Sequence, residues 1–168
     1  MKKNKLIVLS GLFIALNIVL TRLVAPINLQ FIRVTFGFIA DAFAGIILGP
    51  VLGGATAAIS DIIGYFIFTS NGPFFPGFTL SAFAGAFIYG LVLRKNPGSL
   101  FRILVSVLLV TVVVDLVMNT AWLSILYKKA WTVYFTARLV KSLIFMPIQV
   151  VIIKLLWKYT GKEINKLF

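Results

Sequence analysis

LGPVLGGATAAISDIIGYFIF, residues 48–68, is the stretch that decides how this chain folds. Gly49 and Pro50 break one apolar run, and the run that follows is close to the about 20 residues that cross a bilayer as a helix. Small side chains fill its first half, where a neighbouring helix can pack closely. Asp61 interrupts its second half, where an ionisable group is costly in hydrocarbon. The stretch predicts a membrane-spanning helix with a functional acid.

The composition extends this prediction to the whole chain. Of the 168 residues, 61% are hydrophobic and 12% are charged, whereas soluble domains are roughly 45–50% apolar and about 25% charged. A mean hydropathy of +1.07 leaves too little polar surface to cover a globule in water. We therefore expect an all-α integral membrane protein and exclude a soluble domain.

The residues that the chain lacks exclude several kinds of site. Without His or Cys, the chain cannot form a Cys/His metal site, a disulfide, or a Ser-His or Cys-His nucleophile pair. It also lacks the G-x-x-x-x-G-K-[ST] sequence that cradles nucleotide phosphates. We expect no metal and no cofactor, and any uphill transport must take its energy from another component.

Hydropathy and turn residues divide residues 1–168 into a single domain, a bundle of six transmembrane helices. The predicted spans are residues 6–22, 31–48, 51–68, 79–93, 100–122 and 131–157. The first span resembles a signal peptide, but no A-x-A cleavage site follows it, so we expect it to be retained. With both termini cytoplasmic, ten of the 16 basic residues lie on the inner side, as the positive-inside rule favours. The six toward the outer side are Arg22, Arg33, Lys128, Lys129, Arg138 and Lys141.

Ionisable residues inside the membrane are candidates for function. The aspartates there are Asp41, Asp61 and Asp115. Asp115, Asn119 and Arg138 fall in the outer parts of spans five and six. Asp115 has two open interpretations, a binding role or a buried ion pair with Arg138 or Lys141 that fixes helix register. For Asp61 we favour binding, because an aromatic loop follows it.

That loop is TSNGPFFPGF, residues 69–78. Phe74, Phe75 and Phe78 can stack on a flat ligand, and Asn71 adds an amide donor and acceptor. The alternative is that the rings only anchor the loop at the membrane interface. Neither interpretation makes the loop catalytic.

Two rows of small residues favour close helix packing. Ala82, Ala86 and Gly90 form a row on span four, where internal packing is the expected role. Gly11 and Ala15 form a row on span one. Because span one is terminal, its row is the better candidate for contact with another protein.

With these features the chain resembles the S components, the substrate-binding subunits of energy-coupling factor (ECF) vitamin transporters. The resemblance covers essentially the whole chain, including Gly11 and Ala15 where the family has an Ala-rich coupling motif, although Gly11 departs from the usual Ala. Residues 36–38, 49–50, 53–55 and 61–65 look like the folate-specific branch. FPGFTLSA, residues 75–82, is the most specific stretch.

The resemblance implies a subunit of an ECF-type ABC importer in a bacterial plasma membrane, and not an enzyme. Such a subunit binds its vitamin at the outer side and docks on a transmembrane T component with two ATPase subunits, which alone use ATP. Three alternatives stay open. They are an S component for a pyridoxine-type vitamin, pantothenate or riboflavin, a self-sufficient small carrier or channel, and an intramembrane enzyme using Asp41, Asp61 and Asp115.

Folate suits the candidate residues. Its pterin offers adjacent N–H donors to a carboxylate and a flat face to aromatic rings, and its glutamate tail has two carboxylates. The expected substrate-binding residues are Asp61, Tyr65, Asn71, Phe74, Phe75, Phe78, Ser81 and Asn119, with Arg22, Arg33 and Arg138 toward the tail. Outer cations also concentrate an anionic ligand. Gly11 and Ala15 are the expected partner-coupling residues.

Overall fold

The structure, a computed structural model, describes residues 3–24, 27–29, 32–68, 74–128 and 131–165, without the side chains of 27–29, 32–34, 133, 137, 163 and 165. The described chain forms six helices and two short strands. The helices are α1 (Lys3–Leu23), α2 (Gly37–Leu48), α3 (Pro50–Phe68), α4 (Pro76–Leu93), α5 (Leu100–Tyr127) and α6 (Trp131–Asn165). Strands β1 (Ile27–Leu29) and β2 (Ile32–Val34) pair antiparallel between α1 and α2.

Six helices in the described chain confirm the predicted helical membrane fold. Five of them are long and apolar enough to cross a bilayer, whereas α2 has only 12 residues. At about 1.5 Å per residue α2 is roughly 18 Å long, shorter than a hydrocarbon core of about 30 Å. The structure corrects the predicted second span, 31–48, because β2 occupies residues 32–34 and the helix begins at Gly37.

Other helix limits also differ from the predicted spans. α4 begins at Pro76. Proline suits the first turn of a helix because backbone N–H groups there have no partner within the helix, so the N–H that proline lacks is not needed. α5 continues to Tyr127, and its central part, Val110–Met118, has π-helical hydrogen bonding. α6 continues to Asn165 with Pro147 inside it.

We name the two ends of the bundle after arginines. At the Arg22 end, α1 and α3 finish, α2 and α4 begin, and Arg22 lies beside Gly64 of α3. At the Arg94 end, α2 and α4 finish, α3 and α5 begin, and Arg94 lies over Gly49. Gly49 alone separates α2 from α3, and its φ of +89° favours glycine.

Glycines bring α2, α3 and α4 into backbone contact. A Cβ on Gly45 would lie 2.6 Å from the backbone nitrogen of Gly90, and one on Gly53 would lie 2.8 Å from the Cα of Gly45. Such close approach is possible only without a side chain. Ala86 and Gly90 are buried in this contact, so these two members of the small-residue row of α4 pack inside the bundle as expected, whereas Ala82 is partly buried.

The apolar core lies between α2, α4, α5 and α6, with Phe13 of α1 packed into it. Its most deeply buried members, each less than 2% exposed, include Tyr89, Leu93, Ile103, Val107 and Ile153. Most of these lie in the half of the bundle nearer the Arg94 end. The polar side chains singled out in the sequence are concentrated nearer the Arg22 end, which leaves that end for a site.

Candidate functional site

Asp61 of α3 connects three helices at the Arg22 end. Its Oδ1 lies 3.7 Å from Nη2 of Arg22 on α1, and its Oδ2 accepts a 2.9 Å hydrogen bond from Oγ1 of Thr79 on α4. Each carboxylate oxygen has more than one acceptor position, and the Asp61 side chain is 27% exposed. Asp61 is therefore both a structural partner and a group that can still accept hydrogen bonds.

A second polar contact joins α1 to α2 near the same end. Nδ2 of the buried Asn17 donates a 2.6 Å hydrogen bond to Oδ1 of Asp41. Polar side chains that bond across helices hold membrane bundles together. The inward face of α1 is thus attached to α2 through Asp41 and to α3 through Asp61.

An aromatic corner forms where α4 begins, beside α5. The ring of Phe75 lies 5.7 Å from that of Trp122 and 6.0 Å from that of Phe78. Nε1 of Trp122 donates a 3.1 Å hydrogen bond to Oγ of the buried Ser81. A Cβ on Gly77 would lie 2.6 Å from Cδ2 of Trp122, so the indole packs directly on the first turn of α4.

The same face of α4 borders an open space inside the bundle. Gly85 lies one helical turn after Ser81 and is buried, yet a Cβ there would meet no described atom within 4 Å apart from the adjoining part of its own helix. Residues four apart share a helix face, so Gly77, Ser81 and Gly85 form one surface. Trp122 and Phe75 border it at the Arg22 end.

Phe74 and Tyr65 lie apart from this corner. The Phe74 ring is 5.2 Å from that of Tyr65 and 5.9 Å from that of Phe66. Phe66 is 65% exposed and Phe74 is 39% exposed, so this group faces outward from the bundle. The aromatic residues after position 73 therefore divide, with Phe74 at the surface and Phe75 and Phe78 toward α5.

Asp115 and Arg138 link α5 and α6. Nη1 of Arg138 lies 3.9 Å from Oδ1 of Asp115 and donates a 3.3 Å hydrogen bond to its backbone carbonyl. Nδ2 of Asn119 donates to the same carboxylate at 3.3 Å. The ion-pair interpretation of Asp115 is thereby confirmed in its geometry. Nε of Arg138 is buried and has no hydrogen-bond partner among the described residues, which leaves it able to bind an acceptor.

The structure gives no side-chain position for two of the predicted binding residues. Asn71 is outside the described residues, as is the side chain of Arg33, whose backbone pairs with Asn28 in the β1–β2 ladder. Gly11 and Ala15 lie on the exposed face of α1, and a Cβ on Gly11 would meet no described atom within 4 Å apart from the adjoining part of its own helix. Their row faces away from the bundle interior.

Sequence reasoning missed three residues of this region. Thr79 and Gly85 belong to α4, and Trp122 was considered only as the end of a span. A pattern was available for α4, because Gly77, Ser81 and Gly85 are small residues at four-residue spacing. For Trp122 no local pattern indicated that the indole turns toward α4.

Comparisons with known proteins identify the family. The model of the family described as ECF transporter, substrate-specific component, matches residues 5–157. A protein named Folate transporter FolT from Clostridium novyi (strain NT) is 46% identical over 162 residues, which cover 96% of this chain and 93% of the relative. Another with that name, from Leuconostoc mesenteroides subsp. mesenteroides, is 36% identical over 149 residues, 85% of this chain and 79% of the relative.

A solved structure agrees with these relatives. The crystal structure of FolT bound with folic acid matches with a TM-score of 0.82 and 35% identity, over 88% of this chain and 91% of the other. The family model, which covers most of the chain, describes a transporter component and no enzyme. The chain is a membrane protein that belongs to the family of substrate-specific components of ECF transporters.

Proposed function

We propose that this chain is a high-affinity folate-binding S component, which captures folate at the membrane for import. Its two relatives with the name Folate transporter FolT, at 46% and 36% identity, support this proposal. The structural likeness to FolT bound with folic acid supports it over most of the chain. The site chemistry described above supports it independently of the names.

The observation that carries the proposal is the α4 surface of Gly77, Ser81 and Gly85 beside an aromatic corner. A flat heteroaromatic ring binds by stacking on aromatic faces while a few polar groups fix its orientation. Phe75 and Trp122 supply the faces, and Ser81 supplies a hydroxyl that can accept and donate. The lack of a Cβ on Gly85 leaves room for a ring within the bundle.

Charged groups of α3 and α6, in the half of the bundle nearer the Arg22 end, suit the two ends of folate. On the α6 side, the buried Nε of Arg138 can donate a charge-assisted hydrogen bond to a carboxylate of the glutamate tail. On the α3 side, Asp61 can accept from the N–H groups of the pterin with its remaining lone pairs. Arg22 already pairs with Asp61, so we assign it the role of orienting that carboxylate.

The proposal includes partners that supply energy. Because the chain has no phosphate-cradling sequence, we propose that it docks on a T component with two ATPase subunits and holds no cofactor itself. Gly11 and Ala15 give α1 an exposed surface on which another helix can approach closely. Basic residues near the Arg94 end, including Lys95 and Arg102, support placing that end in the cytoplasm.

Equilibrium binding of radiolabelled folate to the detergent-purified chain tests the ligand. We expect saturable binding at nanomolar folate, competition by unlabelled folate, and no competition by riboflavin, pantothenate or pyridoxine at the same concentration. Absence of folate binding would overturn the ligand assignment. A liposome experiment tests the subunit role, because the chain alone should bind folate without accumulating it. Accumulation without ATPase partners would instead make the chain a self-sufficient carrier.

A further inference from the structure

A cavity of about 410 Å³ lies at the Arg94 end, opposite the proposed folate site. It is bordered by the last turns of α2, the turn between α4 and α5, and α6. Its lining residues are Ile46, Arg94, Lys95, Asn96, Pro97, Gly98 and Trp157. None of them belongs to the aromatic corner or to the polar contacts around Asp61, so the folate proposal does not use this cavity.

Trp157 forms a fixed wall of the cavity. A Cβ on Gly161 would lie 2.9 Å from Cε2 of the indole, and one on Gly98 would lie 3.4 Å from its Nε1. The ring of Phe43 is 6.2 Å away on another side. Two glycines and one aromatic ring thus define where the indole lies. Its apolar body and its N–H group suit a boundary between hydrocarbon and water.

The other side of the cavity is cationic. Lys95 is exposed, and Nη1 of Arg94 would lie 2.7 Å from a Cβ on Gly49, which places the guanidinium over the C-terminal end of α2. The partial negative charge of that helix end favours this position. A guanidinium has further N–H donors in its plane, so Arg94 can hold an anion as well.

Carboxylates are far from these cations in the described structure. The described lining of the cavity contains none. Three of the four acidic residues of the chain, Asp41, Asp61 and Asp115, make their contacts nearer the Arg22 end. The side chain of the fourth, Glu163, is outside the described part. Arg94 and Lys95 are therefore positively charged groups that can bind an anionic ligand.

We propose that this cavity binds the phosphate headgroup of an anionic phospholipid. The cavity lies where α2 and α4 end and α3 and α5 begin, which is the level of the lipid headgroups in a spanning bundle. In the first turns of α3 and α5, at the same end of the bundle, Val51 is 62% exposed and Phe101 is 74% exposed, so apolar surface is available there to an acyl chain. Basic pockets between helix ends are the kind of site that recognises anionic headgroups.

Native mass spectrometry tests the proposal on the full chain. The purified protein is incubated with equal amounts of phosphatidylglycerol and phosphatidylcholine and then released from detergent. We expect preferential retention of one phosphatidylglycerol. The double variant Arg94→Gln with Lys95→Gln should bind phosphatidylglycerol with a roughly thirtyfold lower affinity, because two cations near the headgroup are lost. Equal retention of the two lipids by the native chain would overturn the proposal.

A matched variant separates the cavity from general surface charge. Lys158→Gln with Lys162→Gln removes two exposed charges from the part of α6 that lies at the Arg94 end. Neither residue lines the cavity. This control should retain phosphatidylglycerol, and both double variants should still bind folate. Equal loss of lipid in the two double variants, or no loss in either, would contradict the assignment. Full displacement of the lipid by millimolar glycerol phosphate would assign the cavity to a free phosphate instead.

Fluorescence quenching gives a second measurement that does not depend on the charge variants. Brominated phosphatidylglycerol should quench native tryptophan fluorescence more than brominated phosphatidylcholine does. The difference should disappear in Trp157→Phe, because Trp157 is the tryptophan that lines the cavity. If the difference persists in Trp157→Phe, the lipid binds elsewhere and the proposal is wrong.

Discussion

Gly90→Ala should weaken the contact between α4 and the turn that joins α2 to α3. A Cβ at position 90 would lie 2.7 Å from the Cα of Pro50, 2.8 Å from its nitrogen and 3.0 Å from the carbonyl oxygen of Gly45. All three are backbone atoms, so no side-chain rotation can relieve the overlap. The helices must move apart, which also loosens the contact between Gly45 and Gly90.

The structure gives the size of this effect. Carbon atoms in contact are usually about 3.5 Å apart or more, so the added methyl group requires roughly 0.8 Å of extra separation at Pro50. Adding a methylene to a well-packed interior costs about 1–3 kcal/mol. The better helix propensity of alanine offsets up to about 1 kcal/mol. Because the overlap is with backbone atoms, the cost lies in the upper part of that range, about 2–3 kcal/mol, and we expect the free energy of unfolding to fall by about 1–2 kcal/mol.

Titration with sodium dodecyl sulfate in mixed micelles, followed by circular dichroism, measures the loss. Gly85→Ala is the matched control, because it makes the same substitution at another buried position of α4, where a Cβ meets no described atom within 4 Å apart from the adjoining part of its own helix. The control should unfold at or above the detergent fraction of the native chain. If Gly90→Ala unfolds with the native chain, or if both variants shift equally, the backbone-contact argument is wrong.

Three further variants test the candidate site and the exposed row of Gly11 and Ala15 on α1. Gly85→Leu should fill the space beside Ser81 and lower folate affinity roughly a hundredfold, as a steric conflict of about 3 kcal/mol would. Asp61→Asn should weaken folate binding about tenfold, because it removes the charge from a charge-assisted hydrogen bond. Gly11→Trp with Ala15→Trp should block assembly with the T component and ATPases, measured by co-purification, while radiolabelled folate binding stays unchanged.

Each of these has an outcome that contradicts it. Native folate affinity in a folded Gly85→Leu would show that the ligand does not use that surface. Unchanged affinity in Asp61→Asn would leave Asp61 as only a partner of Arg22. For α1, the control is Leu143→Trp with Ile144→Trp, at 68% and 63% exposed positions of α6. Loss of assembly in that control as well would mean that the tryptophans act through general crowding.

The helix count and the break at Gly49 and Pro50 could be predicted because long apolar runs and turn residues are local features. The start of α2 could not be predicted in this way. Residues 31–36 are nearly as apolar as the helix after them, and β2 forms through hydrogen bonds to β1 that no local pattern reports. The π-helical part of α5 could likewise not be predicted, since its sequence is that of an ordinary apolar span.

For the site, the sequence predicted kinds of residue better than their contacts. The pair of Asp115 with Arg138 was one of the two interpretations considered, because opposite charges in neighbouring apolar spans favour each other. The pair of Asp61 with Arg22 depends on which faces α1 and α3 present to each other, and that is set by packing. Trp122 was missed for the same reason, since its role comes from a contact with another helix.

The π-helical segment Val110–Met118 also sets the direction of every side chain that follows it in α5. Each extra residue accommodated in a helix rotates the remainder by about 100° around the axis. Asn119 and Trp122 come soon after the segment, so the direction of their side chains depends on the number of residues in it. Deleting one residue there would turn the indole away from Ser81 without altering any side chain at the site. In the proposed folate site, helix length therefore contributes to ligand specificity beside residue identity.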